Sequence, residues 1–519
     1  MLFSSPEFIY LYLPVVLLGF FWLARWSHRI AATWLTAASL FFYGWWNPAY
    51  LGLLMASIFF NYSMGMVLAR EAARPPALRR PILLAFGIGS NLLLLAYFKY
   101  ANFFLDSVNA VVGTEWDAGS IILPLGISFF TFTQIAFLVD AWRGLAREFN
   151  FIHYGLFVTY FPHLIAGPVL HHKEMMPQFA RSETYRLNWE NLAVGLTIFS
   201  IGLFKKVVLA DGVAPYASPV FDAANQGVAL TFLEAWGGVL AYTLQLYFDF
   251  SGYSDMAIGA SRLFGVRLPL NFNSPYQALS IVDFWRRWHM TLSRFLRDYL
   301  YFALGGNRRG RSRRHANLLL TMLLGGLWHG AGWTFVVWGA LHGIYLVINH
   351  AWSVARQRLR LPAGRRWTRL LAWTTTFLAV VVAWVFFRAA SLDAALSILF
   401  AMLGGNGVAV PEAWLAQVHW RVSWGLDLAG IGIGGAGKHV PDAWAWLWIV
   451  ILLIAAVRMP NTQRLMADFQ PALDFVADAG GTLAWRFRLN LAWMFLTVFL
   501  LVIALTRGEA VSEFLYFQF

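Results

Sequence analysis

The sequence predicts an all-α, polytopic membrane protein: a bundle of about 11 transmembrane helices with additional re-entrant or interfacial helices. The chain has 519 residues, of which 59% are hydrophobic and 13% charged, whereas about a quarter of the residues in soluble proteins are charged. Apolar runs of roughly 20 residues recur along the chain, each long enough to cross a hydrocarbon core of about 30 Å. An outer-membrane barrel would instead show segments of about 10 residues that alternate apolar and polar positions.

Composition also limits the chemistry that this chain can perform. The sequence contains no cysteine, which excludes disulfides, thiolate nucleophiles and an acyl group held on the protein as a thioester. The net charge of +13 is expected from basic cytoplasmic loops. No basic segment is attached to a soluble domain, so we expect no nucleic-acid site. The 26 Trp, 19 Tyr and 45 Phe predict interfacial belts and an aromatic-lined interior.

The charges of the first loops predict the orientation of the N-terminal spans. Basic residues at 25–29 and 70–80 mark cytoplasmic loops, and the acidic segment 99–119 is expected outside, which also places the N-terminus outside. The first span has no basic n-region before it and no cleavage site after it, so we expect it to be retained. The first five spans are predicted near residues 7–25, 31–46, 49–69, 81–98 and 120–141.

Residues 151–280 do not follow this simple alternation. Pro162, Gly167, Pro168 and Pro177 interrupt an apolar run. Broken helices at membrane depth are tolerated only where they are buried in protein or line a cavity. We therefore predict re-entrant pieces in this region.

An arginine-rich segment follows at residues 283–314. Ser280 and Asp283 predict a capping box that opens a helix, and Trp285, Trp288 and His289 share one face of it at helical spacing. This pattern is typical of a helix that lies at the cytoplasmic boundary. The arginines form either an ordinary inward-facing charge cluster or a binding site for a phosphate-bearing molecule such as coenzyme A.

The remaining chain predicts further spans and an outer C-terminus. A glycine-rich loop at 404–443 is expected outside, as is the tail, residues 508–519. The spans are predicted near residues 315–333, 334–350, 367–387, 442–457 and 489–506.

His329 is the strongest candidate for catalysis. It lies 15 residues beyond Arg314, or roughly 22 Å along a helix, which is near mid-membrane. An ionisable residue at that depth is costly and predicts function, and the glycines on either side let a backbone or a substrate approach. The alternative is a packed histidine bonded to a carbonyl. A neutral imidazole there can accept a proton from a hydroxyl as it attacks a thioester.

Other ionisable residues have competing interpretations. His289 either orients the interfacial helix or lines the reaction chamber, and structural hydrogen bonding is favoured for His342. Asp249 and Asp255 could form an acid pair, but an arginine partner for Asp249 and a helix cap at Ser254 or Asp255 are favoured. We assign no metal, because His171, His172 and Glu174 are too few ligands for a metal site.

Several motifs make the sequence resemble the membrane-bound O-acyltransferase (MBOAT) family, in the branch of the bacterial alginate O-acetyltransferase membrane subunit. The motifs are Pro-His-Leu-Ile-Ala-Gly-Pro at 162–168, Asp-Phe-Ser-Gly-Tyr-Ser-Asp at 249–255, Asn-Phe-Asn-Ser-Pro-Tyr at 271–276, Asp-Phe-Trp-Arg-Arg-Trp-His-Met-Thr-Leu-Ser at 283–293 and Leu-Trp-His-Gly-Ala at 327–331.

The resemblance implies a bundle around a central tunnel, in which His329 matches the family's catalytic histidine and His289 its second signature position. It also implies a cytoplasmic acetyl-CoA donor, no cofactor, and a periplasmic partner resembling SGNH hydrolases. The tail resembles an F-x-Y-x-x-F peptide proposed to relay acyl groups, so Tyr516 is a possible relay, with an interfacial anchor as the alternative. The residues assigned to acyl-CoA binding or to the tunnel are Trp285, Arg286, Arg287, Trp288, Asn271, Trp328 and Gly330.

The sequence thus predicts one integral membrane domain over residues 1–519, with a catalytic core at about 150–350. The expected function is acetyl transfer from acetyl-CoA across the bacterial inner membrane, for O-acetylation of an alginate-like polysaccharide that is bound directly or with its synthase complex. The immediate acceptor stays open among a sugar, a partner serine and Tyr516. A proton-coupled transporter or channel and a scaffold for a polysaccharide synthase are the alternatives.

Overall fold

The computed structural model describes residues 1–75, 78–146, 149–165, 167–360, 366–409, 439, 441–473, 485–507 and 514–515. Within these ranges the regular elements are all helices, which confirms the all-α prediction. The predicted outer loop at 404–443 lies largely outside the described residues, and so do Tyr516 and most of the tail.

The N-terminal part of the chain, to residue 179, contains nine α-helices among the described residues. They are α1 (Leu13–Ala24), α2 (His28–Gly44), α3 (Ala49–Ala72), α4 (Arg79–Leu95), α5 (Ala101–Val112), α6 (Ile127–Trp142), α7 (Phe151–Thr159), α8 (Phe161–Leu164) and α9 (His172–Phe179).

The rest of the described chain contains twelve further α-helices, of which α12 (Phe232–Leu263) is the longest. They are α10 (Trp189–Phe204), α11 (Asp211–Asn225), α12 (Phe232–Leu263), α13 (Ile281–Trp285), α14 (Met290–Phe295), α15 (Gly310–His329), α16 (Trp333–Arg358), α17 (Arg366–Arg388), α18 (Leu392–Met402), α19 (Ala443–Arg458), α20 (Thr462–Leu465) and α21 (Leu491–Arg507).

Six helical stretches in the described ranges are long and apolar enough to cross a membrane, and four shorter apolar helices accompany them. The prediction of a multi-pass helical membrane protein is confirmed, while the number of about 11 spans stays a prediction. The six stretches are Glu7–Ala24, Ala49–Ala72, Arg79–Val112, Trp189–Asn225, Trp333–Arg358 and Arg366–Arg388.

Helix α12 forms the centre of the bundle. Thr231 and Glu234 cap its N-terminus through a capping box, and nearly all of its residues are buried. Its glycines allow close approach to α10, because a Cβ on Gly252 would lie 2.7 Å from the carbonyl oxygen of Gly202. Small residues at such crossings let two backbones meet in an apolar environment.

Two boundaries differ from the sequence predictions. Residues 120–126 are not helical, and α6 begins only after Gly126, whose φ is 69°. The segment 99–119, predicted as a loop, contains α5, which continues α4 through a π-helical segment, Ala96–Tyr100. The interruptions predicted for 151–280 fall on the short helices α7 to α9, whereas α10 and α12 are long.

The predicted interfacial helix in residues 283–314 is not continuous. The capping box prediction is confirmed in part, because the Ser280 hydroxyl accepts a hydrogen bond from the backbone of Asp283 at 3.1 Å. Helix α13 ends at Trp285, however, and α14 begins after His289, whose φ of 43° is left-handed. That conformation cannot continue a right-handed helix, so the predicted shared face does not form as one stripe.

Candidate active site

His329 is the last residue of α15 and is 4% exposed. The helix stops there because Gly330 is extended, with φ −156° and ψ 149°. The imidazole is surrounded by aromatic rings, whose centroids lie 4.8 Å away for Trp328, 5.0 Å for Trp338 and 5.2 Å for Phe387. The chain thus places this histidine at a helix end inside an aromatic enclosure.

A cavity of about 260 Å³ reaches His329. Its walls come from the N-terminus, the α2–α3 turn, the end of the π-helical segment and the residues before α6, which are the regions that loop charge assigns to the outside. The cavity therefore extends from His329 to the predicted outer side. Its lining residues are Met1, Leu2, Trp46, Lys99, Leu123, Pro124, Leu125, Gly126, Ile127, Ser128, Phe129, Ile165, Trp328 and His329.

The glycines around His329 serve helix packing. A Cβ on Gly326 would lie 2.3 Å from the carbonyl oxygen of Phe335, and one on Gly339 would lie 2.4 Å from that of Met322. A Cβ on Gly330 would overlap the ring of Phe335, at 2.0 Å. The sequence predicted that these glycines admit either a backbone or a substrate. A backbone approaches Gly326, and the ring of Phe335 fills the space beside Gly330.

Lys99 is a site residue that the sequence reasoning missed. Its ammonium donates hydrogen bonds to the carbonyl oxygens of Trp328, at 2.6 Å, and His329, at 3.0 Å. The hydroxyl of Tyr100 donates to the carbonyl oxygen of Leu327, at 2.8 Å. Two adjacent residues thus bind three carbonyls at the C-terminus of α15, where carbonyls lack helical partners and a cation is favourable. A lysine within an apolar run was the signal that could have found it.

His289 is fully buried and held by a polar cluster. Its Nδ1 lies 3.0 Å from the side-chain oxygen of Asn271, which also accepts a hydrogen bond from Thr291 at 2.9 Å. The Asn271 amide in turn donates to Ser254 at 3.3 Å. A non-glycine residue in the left-handed region costs about 1–3 kcal/mol and is typical of functional sites. This cluster joins three of the sequence motifs.

The two candidate histidines lie in one region of the interior. Their ring centroids are 6.5 Å apart, and the ring of Trp328 lies 6.2 Å from that of His289. Phe250 of α12 contacts His289 edge-on, with centroids 4.8 Å apart. Tertiary structure therefore brings His289, His329, Asn271 and Trp328 together from separate segments.

The other residues assigned to the donor site contact other partners than the two candidate histidines. Trp285 donates to Nδ1 of the buried His342, at 3.3 Å, in agreement with the structural role expected for His342. Trp288 is buried, with its ring 4.9 Å from that of Trp384. Arg287 pairs with Asp283 at 2.8 Å, and Arg286 is exposed. Their assignment to acyl-CoA binding stays a prediction.

Asp249 and Asp255 do not have the partners that the sequence suggested. Asp249 pairs with Lys206 at 2.8 Å, and Asp255 with Lys205 at 2.6 Å. The expected arginine partner and the expected helix cap are both wrong, because the two aspartates lie within the long helix α12 and face adjacent lysines at the end of α10. Each carboxylate is neutralised by an ammonium, as burial requires.

The described part of the tail lies against the same helix. The ring of Phe514 stacks on that of Tyr253, with centroids 4.5 Å apart, and contacts Phe250 at 5.5 Å. The backbone N–H of Leu515 donates to the carboxylate of Asp249 at 3.2 Å. Phe514 therefore contacts Phe250, the ring that touches His289.

Comparison with known proteins agrees with this architecture. Residues 141–392 match the model of the membrane-bound O-acyltransferase family, MBOAT. The chain is 39% identical to a probable alginate O-acetylase of Azotobacter vinelandii over the whole of both chains. It is 47% identical to a peptidoglycan O-acetyltransferase of Helicobacter pylori, over 79% of this chain and 81% of the relative. A teichoic acid D-alanyltransferase of Streptococcus thermophilus is 29% identical over 52% of this chain and 69% of its own.

The chain belongs to the membrane-bound O-acyltransferase family. It is a multi-pass membrane enzyme that transfers acyl groups to hydroxyl oxygens. The predicted family, fold class and enzyme class are confirmed.

Proposed function

We propose that this enzyme transfers acetyl from cytoplasmic acetyl-CoA across the bacterial inner membrane to a hydroxyl on the outer side, with His329 as general base. The observation that carries the proposal is the cavity that extends from His329 to the predicted outer face. The names of the relatives, an alginate O-acetylase and a peptidoglycan O-acetyltransferase, support acetyl as the group and a polysaccharide as its final destination.

In the proposed reaction the neutral imidazole of His329 takes the proton of the acceptor hydroxyl. The hydroxyl oxygen bonds to the thioester carbonyl carbon, the carbon–sulfur bond breaks, and the proton passes to the departing thiolate of coenzyme A. General base catalysis of this kind contributes typically 10²–10⁴-fold. The rings of Trp328, Trp338 and Phe387 surround the imidazole and limit the number of water molecules beside it.

His289 has a positioning role in this proposal. The Asn271 oxygen accepts from Thr291, and we infer that it also accepts the proton on Nδ1 of His289, which leaves the other ring nitrogen as an acceptor. The left-handed backbone at His289 fixes the ring against Phe250. A neutral imidazole in a fixed orientation thus faces the region of Trp328 and His329.

The donor is proposed to enter from the arginine-rich cytoplasmic side, where Arg286 is exposed. Arginine binds phosphate through two parallel hydrogen bonds, which suits the phosphates of coenzyme A. Trp285, Trp288, Asn271, Trp328 and Gly330 are proposed to line the path between this face and His329.

On the outer side the immediate acceptor is a sugar, a serine of an SGNH-hydrolase-like partner, or Tyr516. Leu515 is anchored to Asp249, and Tyr516 is the next residue. This anchoring of Leu515 to α12 supports Tyr516 as a candidate acceptor. A partner or synthase complex would then carry the acetyl group to the polysaccharide.

The test uses the purified full-length protein with acetyl-labelled coenzyme A and a small hydroxyl acceptor. We expect turnover by the native protein and a loss of activity of at least about 100-fold in His329→Ala. The control is His350→Asn, which changes a histidine near the C-terminal end of α16 and should lose no activity. Movement of a solute or protons without turnover would favour the transporter instead. Equal activity of His329→Ala and the native protein would favour the scaffold.

A further inference from the structure

A second cavity, of about 590 Å³, lies at the end of α12 and the start of α10. The ring of Tyr185, next to this cavity, stacks on that of His28, with centroids 4.4 Å apart. His28 belongs to the α1–α2 connection, which loop charge assigns to the cytoplasm. The cavity is therefore on the opposite side of the bundle from the cavity that reaches His329.

Arginines dominate the charge of this cavity. Four of them line it, and the two lining carboxylates, Glu183 and Glu190, leave an excess of two positive charges. Arginine is the side chain best suited to bind phosphate, because its fork of N–H donors matches two phosphate oxygens. The four arginines are Arg181, Arg186, Arg262 and Arg267.

Arg262 is the buried member of this set, at 2% exposed. One of its terminal nitrogens donates to the carbonyl oxygen of Phe469 at 3.3 Å, and its distance to Glu190 is 3.8 Å, too long for a strong hydrogen bond. Its Nε has no hydrogen-bond partner among the described residues. A buried guanidinium with an unused donor is costly, and an anion in the cavity would accept that hydrogen bond.

The cavity also lies where phosphate-bearing molecules occur. Trp189, the first residue of a stretch that can span the membrane, is 74% exposed, and Leu187 is 47% exposed. Exposed tryptophan at the end of a spanning helix marks the headgroup level. Anionic phospholipids are concentrated in the cytoplasmic leaflet, and a cavity of this size falls within the range that holds small ligands, roughly 300–1,000 Å³.

We infer that this cytoplasmic cavity is a binding site for a phosphate ester, held by Arg181, Arg186, Arg262 and Arg267. Two sources share this chemistry: the headgroup of an anionic phospholipid and the phosphates of coenzyme A. The cavity is separate from the exposed Arg286 and from the cavity at His329, so it is an additional anion site.

The segment that follows α12 runs from this cavity to the active site. The backbone N–H of Arg267 donates to Gln178 at 2.9 Å, and Gln178 donates back to the carbonyl oxygen of Arg267 at 2.9 Å. Four residues further on, Asn271 holds His289. A phosphate bound between Arg262 and Arg267 would stabilise the start of the segment that carries Asn271.

The experiment measures ligand binding to the full-length protein in phosphatidylcholine nanodiscs, by thermal unfolding and native mass spectrometry. One series adds phosphatidylglycerol to the nanodiscs and another adds free coenzyme A. Binding is compared between the native protein and Arg262→Gln/Arg267→Gln. A control with the same loss of charge is Arg358→Gln/Arg369→Gln, on exposed positions of α16 and α17.

We expect at least one of the two probes to raise the unfolding temperature of the native protein and of the control, and its affinity to fall at least about tenfold in Arg262→Gln/Arg267→Gln. If that variant does not fold, Arg181→Gln/Arg186→Gln, at exposed positions, is used in its place. A response to phosphatidylglycerol alone assigns a lipid site, and a response to coenzyme A alone assigns a donor site.

The inference would be overturned if the cavity variants bound both probes with the same affinity as the control. It would also be overturned if the native protein bound neither probe. Because the readout is binding, it does not depend on turnover. Phosphate binding in a protein that fails to turn over acetyl-CoA would contradict the proposed function only.

Discussion

The ammonium of Lys99 lies 3.0 Å from the backbone oxygen of His329, 230 positions away in the chain. The lysine comes from a π-helical segment, Ala96–Tyr100, an irregularity that is frequent at functional sites. It fixes the end of α15 and adds a positive charge to the wall of the cavity that reaches the imidazole. An anion that forms as a thioester is attacked would be stabilised by such a charge.

We therefore expect Lys99→Met to lower kcat by at least about tenfold, because it removes both the helix cap and the charge. Lys99→Arg keeps the charge and should recover part of the activity. The measurement is kcat and KM for acetyl-CoA, with the unfolding temperature as a control for folding. A change in KM alone, with kcat unaffected, would contradict a role beside His329.

Asn271→Leu should also lower kcat, by about tenfold or more, because the variant has no oxygen to hold His289. Asn271→Asp retains an acceptor oxygen and should be affected less. The pH dependence of kcat separates positioning from simple destabilisation, since freeing His289 changes which of its nitrogens carries the proton. If Asn271→Leu and Asn271→Asp had the same kcat and the same pH dependence as each other, the Asn271–His289 contact would be structural only.

Packing of α15 on α16 predicts a large effect from one methyl group. Gly326→Ala should lower the unfolding temperature, at a cost of about 1–3 kcal/mol, because its Cβ would meet a backbone oxygen that no side-chain rotation can move. Gly89→Ala is the matched control, since nothing lies within 4 Å of a Cβ there. Equal unfolding temperatures for Gly326→Ala and Gly89→Ala would show that α15 and α16 separate without cost.

The tail gives a prediction that depends on a single hydroxyl. If Tyr516 carries acetyl between the chamber and the next acceptor, Tyr516→Phe and Tyr516→Ala should both abolish acetylation of the product. If Tyr516 is an aromatic anchor, the phenylalanine variant retains acetylation and only the alanine variant loses it. The readout is acetyl content of the polysaccharide in cells, with the amount of membrane-inserted protein as a control.

Much of the fold could be predicted from the sequence, and so could four candidate site residues that the structure brings together, namely His289, His329, Asn271 and Trp328. Apolar length alone predicted the multi-pass bundle, and a histidine far inside an apolar run drew attention to His329. The partners of Asp249 and Asp255 were predicted wrongly, because charge complementarity does not say which cation is near. The continuous helix expected after Ser280 ends at Trp285 and resumes only after His289, whose left-handed backbone carries no local sequence signal.

The sequence by itself determined the class of this protein and singled out His329 as the candidate base, since hydrophobic length and an ionisable residue within it are properties of one segment. Tertiary structure alone decided that Asn271 holds His289, that Lys99 caps the helix of His329, and that four arginines share one cavity. These contacts join residues from different helices. Their geometry depends on how close small residues such as Gly252 and Gly326 let the backbones approach.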